Sequence, residues 1–328
     1  MIYTLDNKIM EVILDISKKT LLALAAIGSI TQPVWASNSE FNFSAKPISK
    51  NVYSIISPSY GRPSAENKGW NSNSHFVVTL DGVLVFDTGS SQKIGKGIIK
   101  AIKSVTEQPI RWVVNSHSHA DHWLGNAAFV DVGAQVISTK TSMESMKKDG
   151  QGVVDAFSRM TEGATDKTHI AYPTQFLSKE ETRTLGGIEF EFFYSNDGHS
   201  SGDVLMWLPK QRIIFGGDVL SSDWMPIMTP SGNVPNLITT LNYVANLKPT
   251  IVLPGHGQPT NVNSIIRDAE LLKSVWYLVK RGYESDKKAN EILSQVQHKL
   301  GDKYRPLYKD FDSNTEYLVN MIYKKQVE

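Results

Sequence analysis

Apolar positions along the chain fall into short runs separated by turn-forming residues, and the period of each run predicts an element. The runs at 52–56, 75–80 and 83–86 are rich in β-branched and aromatic residues, and Asp81-Gly82 between the last two marks a tight turn, so an antiparallel hairpin opens the fold. Further strand-like runs at 110–114, 135–138, 188–194, 204–208, 212–215 and 251–253 alternate with helix-compatible stretches at 91–106 and 142–160. Pro209-Lys210-Gln211 reads as a tight turn between two of these strands. From Ser264 onward the period becomes helical, with Ile265, Ala269, Leu272, Trp276 and Val279 near one face, then Ile292, Val296 and Leu300, then Tyr317, Met321 and Ile322. The expected class is α/β (α+β), sheets covered by helices, with 263–328 as a C-terminal helical part that finishes the covering layer. Residues 139–182 read as a surface helix with loops.

The first 36 residues carry a different pattern. Lys18 and Lys19 precede an uncharged stretch from Thr20 to Ile30, Gln32-Pro33 breaks it, and Val34-Trp35-Ala36 offers small residues where a signal peptidase reads. About 11 apolar residues at ~1.5 Å each reach only about half of a ~30 Å hydrocarbon core, so a cleaved leader is expected and a stable membrane anchor is not. The expected organisation is a signal peptide at 1–36, cut after Ala36, and one domain at 37–328, in a periplasmic or secreted protein. Translation from Met1 or from Met10 gives the same expectation.

Composition narrows the chemistry. Lys plus Arg number 34 against 33 Asp plus Glu, a formal charge of +1, so no global field draws the chain to nucleic acid. Cysteine is absent, which excludes disulfides, iron–sulfur centres, thiolate zinc sites and a cysteine nucleophile. Any metal therefore sits on histidine and carboxylate. Ser118, Ser200 and Ser201 neighbour ligand-type residues and are not read as serine-hydrolase nucleophiles.

Five of the eight histidines lie where ligands would be useful. His117, His119, Asp121 and His122 follow a strand ending in Trp112-Val113-Val114; on an extended backbone His117 and His119 point to the same side and grip one ion, while Asp121 and His122 face a neighbour. Three more strands end in glycine and a ligand-type residue: Gly198-His199, Gly216-Gly217-Asp218 and Gly255-His256. Strand ends converge on one rim of a sheet, which favours a shared site. His75, His169 and His298 lack partners at ligand spacing and are read as structural or surface residues. Trp70, Trp123 and Trp224 are candidates to line the mouth, and the stretches 57–74, 139–176 and 221–236 to hold the specificity loops.

The ordered set His117-Ser118-His119-Ala120-Asp121-His122, Gly198-His199-Ser200, Gly216-Gly217-Asp218 and Pro254-Gly255-His256, with Phe86-Asp87-Thr88-Gly89 upstream, resembles the metallo-beta-lactamase superfamily over about residues 52–257. The resemblance implies a four-layer αββα sandwich with a dinuclear metal centre on one edge. It implies that His117, His119 and His199 hold the first ion, that Asp121, His122 and His256 hold the second, and that Asp218 bridges them. Two zinc ions are the expected cofactors, with iron or manganese as alternatives. Asp87 is expected to hydrogen-bond a ligand histidine.

Asp218 stands where zinc beta-lactamases with a cysteine in the second site place it, and matches instead the broader hydrolases that include glyoxalase II and lactonases. The lysine that often clamps a lactam carboxylate is absent from Val219-Leu220-Ser221-Ser222, so lactam hydrolysis is not the favoured expectation. A weaker likeness, through Ala65-Glu66-Asn67, Asn71 and Asn73, is to periplasmic hydrolases related to SoxH and to quinoprotein-associated zinc hydrolases. The expectation is an exported hydrolase of a small ester, thioester, lactone or lactam, with hydroxide supplied by the metals and Asp121 orienting it or passing a proton. The alternatives are an iron-dependent oxygenase on the same scaffold and a non-catalytic periplasmic metal relay. The expected partner is a small-molecule substrate; the oligomeric state is left open.

Overall fold

The computed structural model describes residues 41–58 and 61–327, and the expected leader at 1–36 lies outside them. The fold belongs to the unit that begins at Phe43. Among the described residues, one sheet orders its strands as they occur in the chain: β1 (Ala45–Ser49), β2 (Val52–Ile55), β3 (Ser74–Val78), β4 (Val83–Phe86), β5 (Ile110–Val114), β6 (Gln135–Ser138) and β7 (Gln175–Phe176). Pairing is antiparallel from β1 to β4 and parallel from β4 to β7. The second sheet contains β8 (Glu180–Leu185), β9 (Ile188–Tyr194), β10 (Val204–Leu208), β11 (Ile213–Gly217) and β12 (Ile251–Pro254), ordered β12-β11-β10-β9-β8.

The central strands are apolar throughout because both their faces are covered. On β10, Val204, Met206 and Leu208 join Phe86, Val114 and Ile137 of the first sheet between the two sheets. Leu205 and Trp207, pointing the other way, join the helical layer. That layer comprises α5 (Val234–Asn246), α6 (Val262–Tyr283), α7 (Ala289–Tyr304) and α8 (Phe311–Val327), which contribute Leu241, Leu272, Val296 and Leu318 among others. On the first sheet's outer side Val85, Val113 and Val136 are equally buried, and α1 (Gln92–Lys103) buries Ile94, Ile98, Ile99 and Ile102 after an N-cap in which Ser91 accepts from the Ile94 amide. The result is the helix–sheet–sheet–helix sandwich. No helix among the described residues is long and apolar enough to cross a membrane.

Strand direction positions the site. β9 and β11 both run antiparallel to β10 and β12 runs parallel to β11, so β9, β11 and β12 end on one edge, where His199, Asp218 and His256 follow them. The parallel strands β4 and β5 deliver Asp87 and His117 from their own C-terminal ends. Short helices α2 (Ala120–Trp123) and α3 (Asn126–Val130) follow, then α4 (Lys140–Met160).

His75 ties the sheets together. Its ring on β3 accepts at Nδ1 from the Ser54 hydroxyl on β2 (2.7 Å) and donates from Nε2 to the Pro254 carbonyl at the end of β12 (3.0 Å). Burial pushes its pKa down to about 4, helped by the charge on His122, so the folded chain keeps it neutral while the unfolded chain takes a proton near pH 6.5. Its stabilisation is complete above pH 6.5 and is lost as pH falls toward 4, a difference on the order of 3 kcal/mol. Denaturant melts of metal-free protein at pH 7, 5.5 and 4.5 should show a smaller acid loss for His75→Gln than for the parent, even though the variant starts less stable; equal losses would contradict the assignment.

Candidate metal centre

Seven ligand-type side chains meet at the shared strand edge. One nitrogen or oxygen from each of His117, His119, His199 and Asp218 falls in a group whose atoms lie within 4.8 Å of one another, and Asp121, His122 and His256 form a second such group. In the first, Nδ1 of His119 lies 2.9 Å from Nε2 of His117 and 3.3 Å from Nε2 of His199. Oδ2 of Asp218 completes it at 3.6 Å from His117 and 3.7 Å from His199. Oδ1 of the same carboxylate faces the second group, 3.3 Å from Nε2 of both His122 and His256, while Asp121 Oδ2 stands 3.7 and 3.5 Å from them. Four ligands at zinc–nitrogen distances of about 2.0–2.1 Å in a tetrahedron stand roughly 3.3 Å apart. Both clusters have that spacing, and Asp218 shows one oxygen to each.

Hydrogen bonds behind the rings fix which nitrogen faces inward. His199 donates from Nδ1 to the Ile227 carbonyl (2.9 Å), His256 from Nδ1 to the Asn71 carbonyl (2.7 Å) and His122 from Nδ1 to Asp87 Oδ2 (2.8 Å). The Ser116 hydroxyl donates to Asp87 Oδ2 (2.8 Å) and accepts from Nδ1 of His117 (2.8 Å). One buried carboxylate thus orients two ligand-type imidazoles, and it does so from a left-handed backbone conformation, φ 63°, that aspartate tolerates better than most residues. Gly255 is required where it stands, because a Cβ would come within 2.3 Å of Asp218 Oδ1.

The electrostatics are those of a cage for cations. Burial, reinforced by neighbouring imidazoles, holds His117 well below its usual pKa and His119 down at about 4. For His122 and His256 burial pulls downward too, but the carboxylates of Asp218 and Asp121 outweigh it and both are raised. Asp218 is drawn well below the carboxylate range because His256, His122 and His117 outweigh its burial. Nε2 of His122 and Oδ1 of Asp218 are buried without a hydrogen-bond partner, although they face one another. Lone pairs converging in this way fit divalent cations, which satisfy all of them together.

Three supporting residues escaped the sequence reading. Asn71 donates to Asp121 Oδ2 (2.8 Å) while its carbonyl holds His256. Ser116 relays Asp87 to His117. Asp203 accepts from the Ser195 hydroxyl (2.8 Å) and the amides of His199 (3.0 Å) and Ser200 (2.9 Å), shaping the loop that presents His199. Only position offered a signal: Ser116 precedes a ligand-type residue, and Asn71 lies in the Asn-rich stretch before β3.

A cavity of about 990 Å³ opens over the cluster, lined by His119, Asp121, His199, Asp218 and His256 and by residues of 61–63, 71, 220–230 and 309–317. Trp224 lines it, its ring 4.4 Å from that of His256. Trp70 and Trp123 do not, contrary to the sequence expectation. Trp70 is buried and stacked on Phe43, and Trp123 donates to the Ser118 carbonyl and packs with Ala120, Met146 and Phe157. No residue of 139–176 lines this cavity either; α4 and Tyr172 cover Trp123 instead. His169 and His298 are exposed and belong to neither cluster.

Comparison with known proteins agrees with this geometry. The chain is 25% identical over 209 residues to the metallo-beta-lactamase IND-1 of Chryseobacterium indologenes, covering 62% of this chain and 80% of that one. It is 23% identical over 211 residues to the type 2 metallo-beta-lactamase of Bacillus cereus, covering 62% and 73%. A metallo-beta-lactamase structure from Pontibacter korlensis superposes with a TM-score of 0.57 at 21% identity over 70% of this chain and 98% of that one. A double mutant of the sec-alkyl sulfatase PisA1 superposes with a TM-score of 0.66 at 13% identity over 87% of this chain and half of that one. The metallo-beta-lactamase superfamily profile matches residues 67–256, and the chain belongs to that superfamily.

Proposed function

We propose that this chain is an exported dinuclear-metal hydrolase, with zinc as the metal, that cleaves a small ester, thioester, lactone or lactam. The observation that carries the reading is the Asp218 carboxylate, which shows one oxygen to His117 and His199 and the other to His122 and His256. His117, His119 and His199 would hold one ion, Asp121, His122 and His256 the other, and Asp218 both. Divalent ions there supply a Lewis acid for a carbonyl-type oxygen and a water pKa near 7.

The chain's own residues set the conditions for that chemistry. Asp87 and the carbonyls of Asn71 and Ile227 fix the tautomers that leave the inward nitrogens unprotonated. Asp121 lines the cavity, is held by the Asn71 amide, and is the carboxylate placed to orient a water or carry its proton. Export rests on the leader pattern at 1–36. The relatives' names and the sulfatase likeness both put hydrolysis first, so the substrate screen should include lactams, lactones, thioesters, phosphodiesters and a secondary alkyl sulfate.

Protein isolated without added metal should carry close to two equivalents by elemental analysis, and hydrolysis of at least one ester class should vanish with a chelator and return with zinc. His119→Ala should lose at least one equivalent and all turnover, whereas His298→Ala should change neither; full metal content in His119→Ala would overturn the ligand assignment. Iron on isolation with oxygen consumption, or full metal with no turnover across the screen, would replace the hydrolase reading. Asp87→Ala should bind zinc about 10- to 100-fold more weakly in calorimetry while still folding, because both His122 and His117 lose their orienting partner; unchanged affinity would contradict that role.

A further inference from the structure

The cavity's outer wall comes from a part of the chain that pattern alone assigns to covering helices. Asp268 on α6, buried beneath it, accepts from the Ser221 hydroxyl (2.6 Å) just beyond Asp218, from the Tyr308 hydroxyl, and from Arg267 (2.8 Å). The Arg267 guanidinium also lies over the Tyr308 ring, 4.5 Å from its centre. One carboxylate thereby fastens the segment after α7 against the metal-bearing loop, and the residues that follow Tyr308 line the cavity: Lys309 and Asp310, then Tyr317 on α8. Arg62 lines the same cavity, close enough to Tyr317 for its charge to bear on that hydroxyl.

The lining combines apolar side chains with exposed charged ones. Trp224 and Ile227 are half-buried and offer apolar surface beside the cluster, while Arg62 and Lys309 are exposed, and among the described residues neither side chain has an ion-pair or hydrogen-bond partner. Two carboxylates share the rim but are engaged: Asp223 accepts from the Ser222 hydroxyl (2.6 Å), and Asp310 from the Met225 amide (3.3 Å) and the Asn314 side chain (2.5 Å). Burial raises the pKa of Asp310, with the charge of Asp223 adding to it, which further weakens its claim on a cation. At about 990 Å³ the cavity stands at the upper end of the ~300–1,000 Å³ typical of sites that enclose drug-sized ligands, well beyond what a minimal ester or lactone fills.

We propose that the substrate is an amphiphilic anion: its scissile group lies over the metal cluster, its apolar body runs along Trp224 and Ile227, and an anionic group at its far end is held by Arg62 and Lys309. The assignment of the scissile end rests on the hydrolase reading; the rim contacts do not.

Three eight-carbon probes that share one carboxylate separate the cases by calorimetry: octanoate, suberate with a second carboxylate, and 8-aminooctanoate with an ammonium. Measured on both metal-free and zinc-loaded protein, suberate should bind about tenfold more tightly than octanoate at low salt, 8-aminooctanoate no more tightly than octanoate, and the suberate advantage should fade in about 0.5 M salt, where the Debye length falls to a few ångströms and exposed charge pairs are largely screened. The exposed double variant Arg62→Gln/Lys309→Gln should bring suberate to within about twofold of octanoate. Equal affinities in the parent, or an advantage that survives in the double variant, would overturn the proposal. Tighter binding of 8-aminooctanoate would also overturn it and assign the rim to Asp223 and Asp310. Failure of zinc to bind is a separate result that bears on the hydrolase reading, since the probe comparison reads the rim in metal-free protein as well.

Discussion

The structure depends on one arrangement: a carboxylate, Asp218, placed between two sets of buried imidazoles with their lone pairs turned toward it and toward each other. Without cations this is costly, because converging acceptors repel and buried polar atoms without partners lose their hydration. In the metal-free chain the carboxylates of Asp218 and Asp121 favour protons on His122 and His256 and the imidazoles favour the charged form of Asp218, whereas burial lowers the pKa of His117 and His119. A metal competes with those protons, and binding and stability are therefore linked at this site.

Everything around the cluster serves to keep that arrangement from relaxing. Strands β9, β11 and β12 end together on one edge because their directions agree, and β4 and β5 bring the remaining residues to it. Asp87 commits the tautomers of two rings at once, through His122 directly and through Ser116 for His117. Asn71 joins the Asp121 carboxylate to the His256 ring, so the second group is braced from the stretch before β3 as well as from its own loops. The same edge carries the cavity, which places the reactive groups where the sandwich opens to solvent and leaves His117 and His122 fully behind them.

Much of this was legible in the sequence, for identifiable reasons. Strands buried on both faces leave unbroken apolar runs: Val204–Leu208 was read to the residue, while the run at 212–215 proved to be the strand Ile213–Gly217, whose end is two glycines without an apolar side chain to mark it. Glu180–Leu185 was missed because it is an edge strand whose side chains alternate between exposed and half-buried and carry charge, which protects an edge and hides its period. The ligand-type residues stood out because they come shortly after strands, four of them within six positions and the other three directly after glycine. The residues that orient them did not, since a serine or asparagine acquires such a role only from its partner across the fold. Trp123 was misplaced because nearness in sequence to His122 says nothing of direction: on a helix the next residue lies about 100° round, and here that turns the indole into the core under α4. The helical period after Ser264 showed a covering layer but not that its far end returns to the cavity, because the tie through Asp268 and Tyr308 joins residues 40 apart in the chain.

The central claim is tested most directly by zinc-edge anomalous diffraction from crystals of zinc-loaded protein. Two peaks are expected, one on each side of the Asp218 carboxylate, at about 2.0–2.2 Å from the inward atoms of His117, His119 and His199 and of Asp121, His122 and His256. A single peak away from Asp218, or density showing these side chains turned from one another with no ion between them, would contradict it.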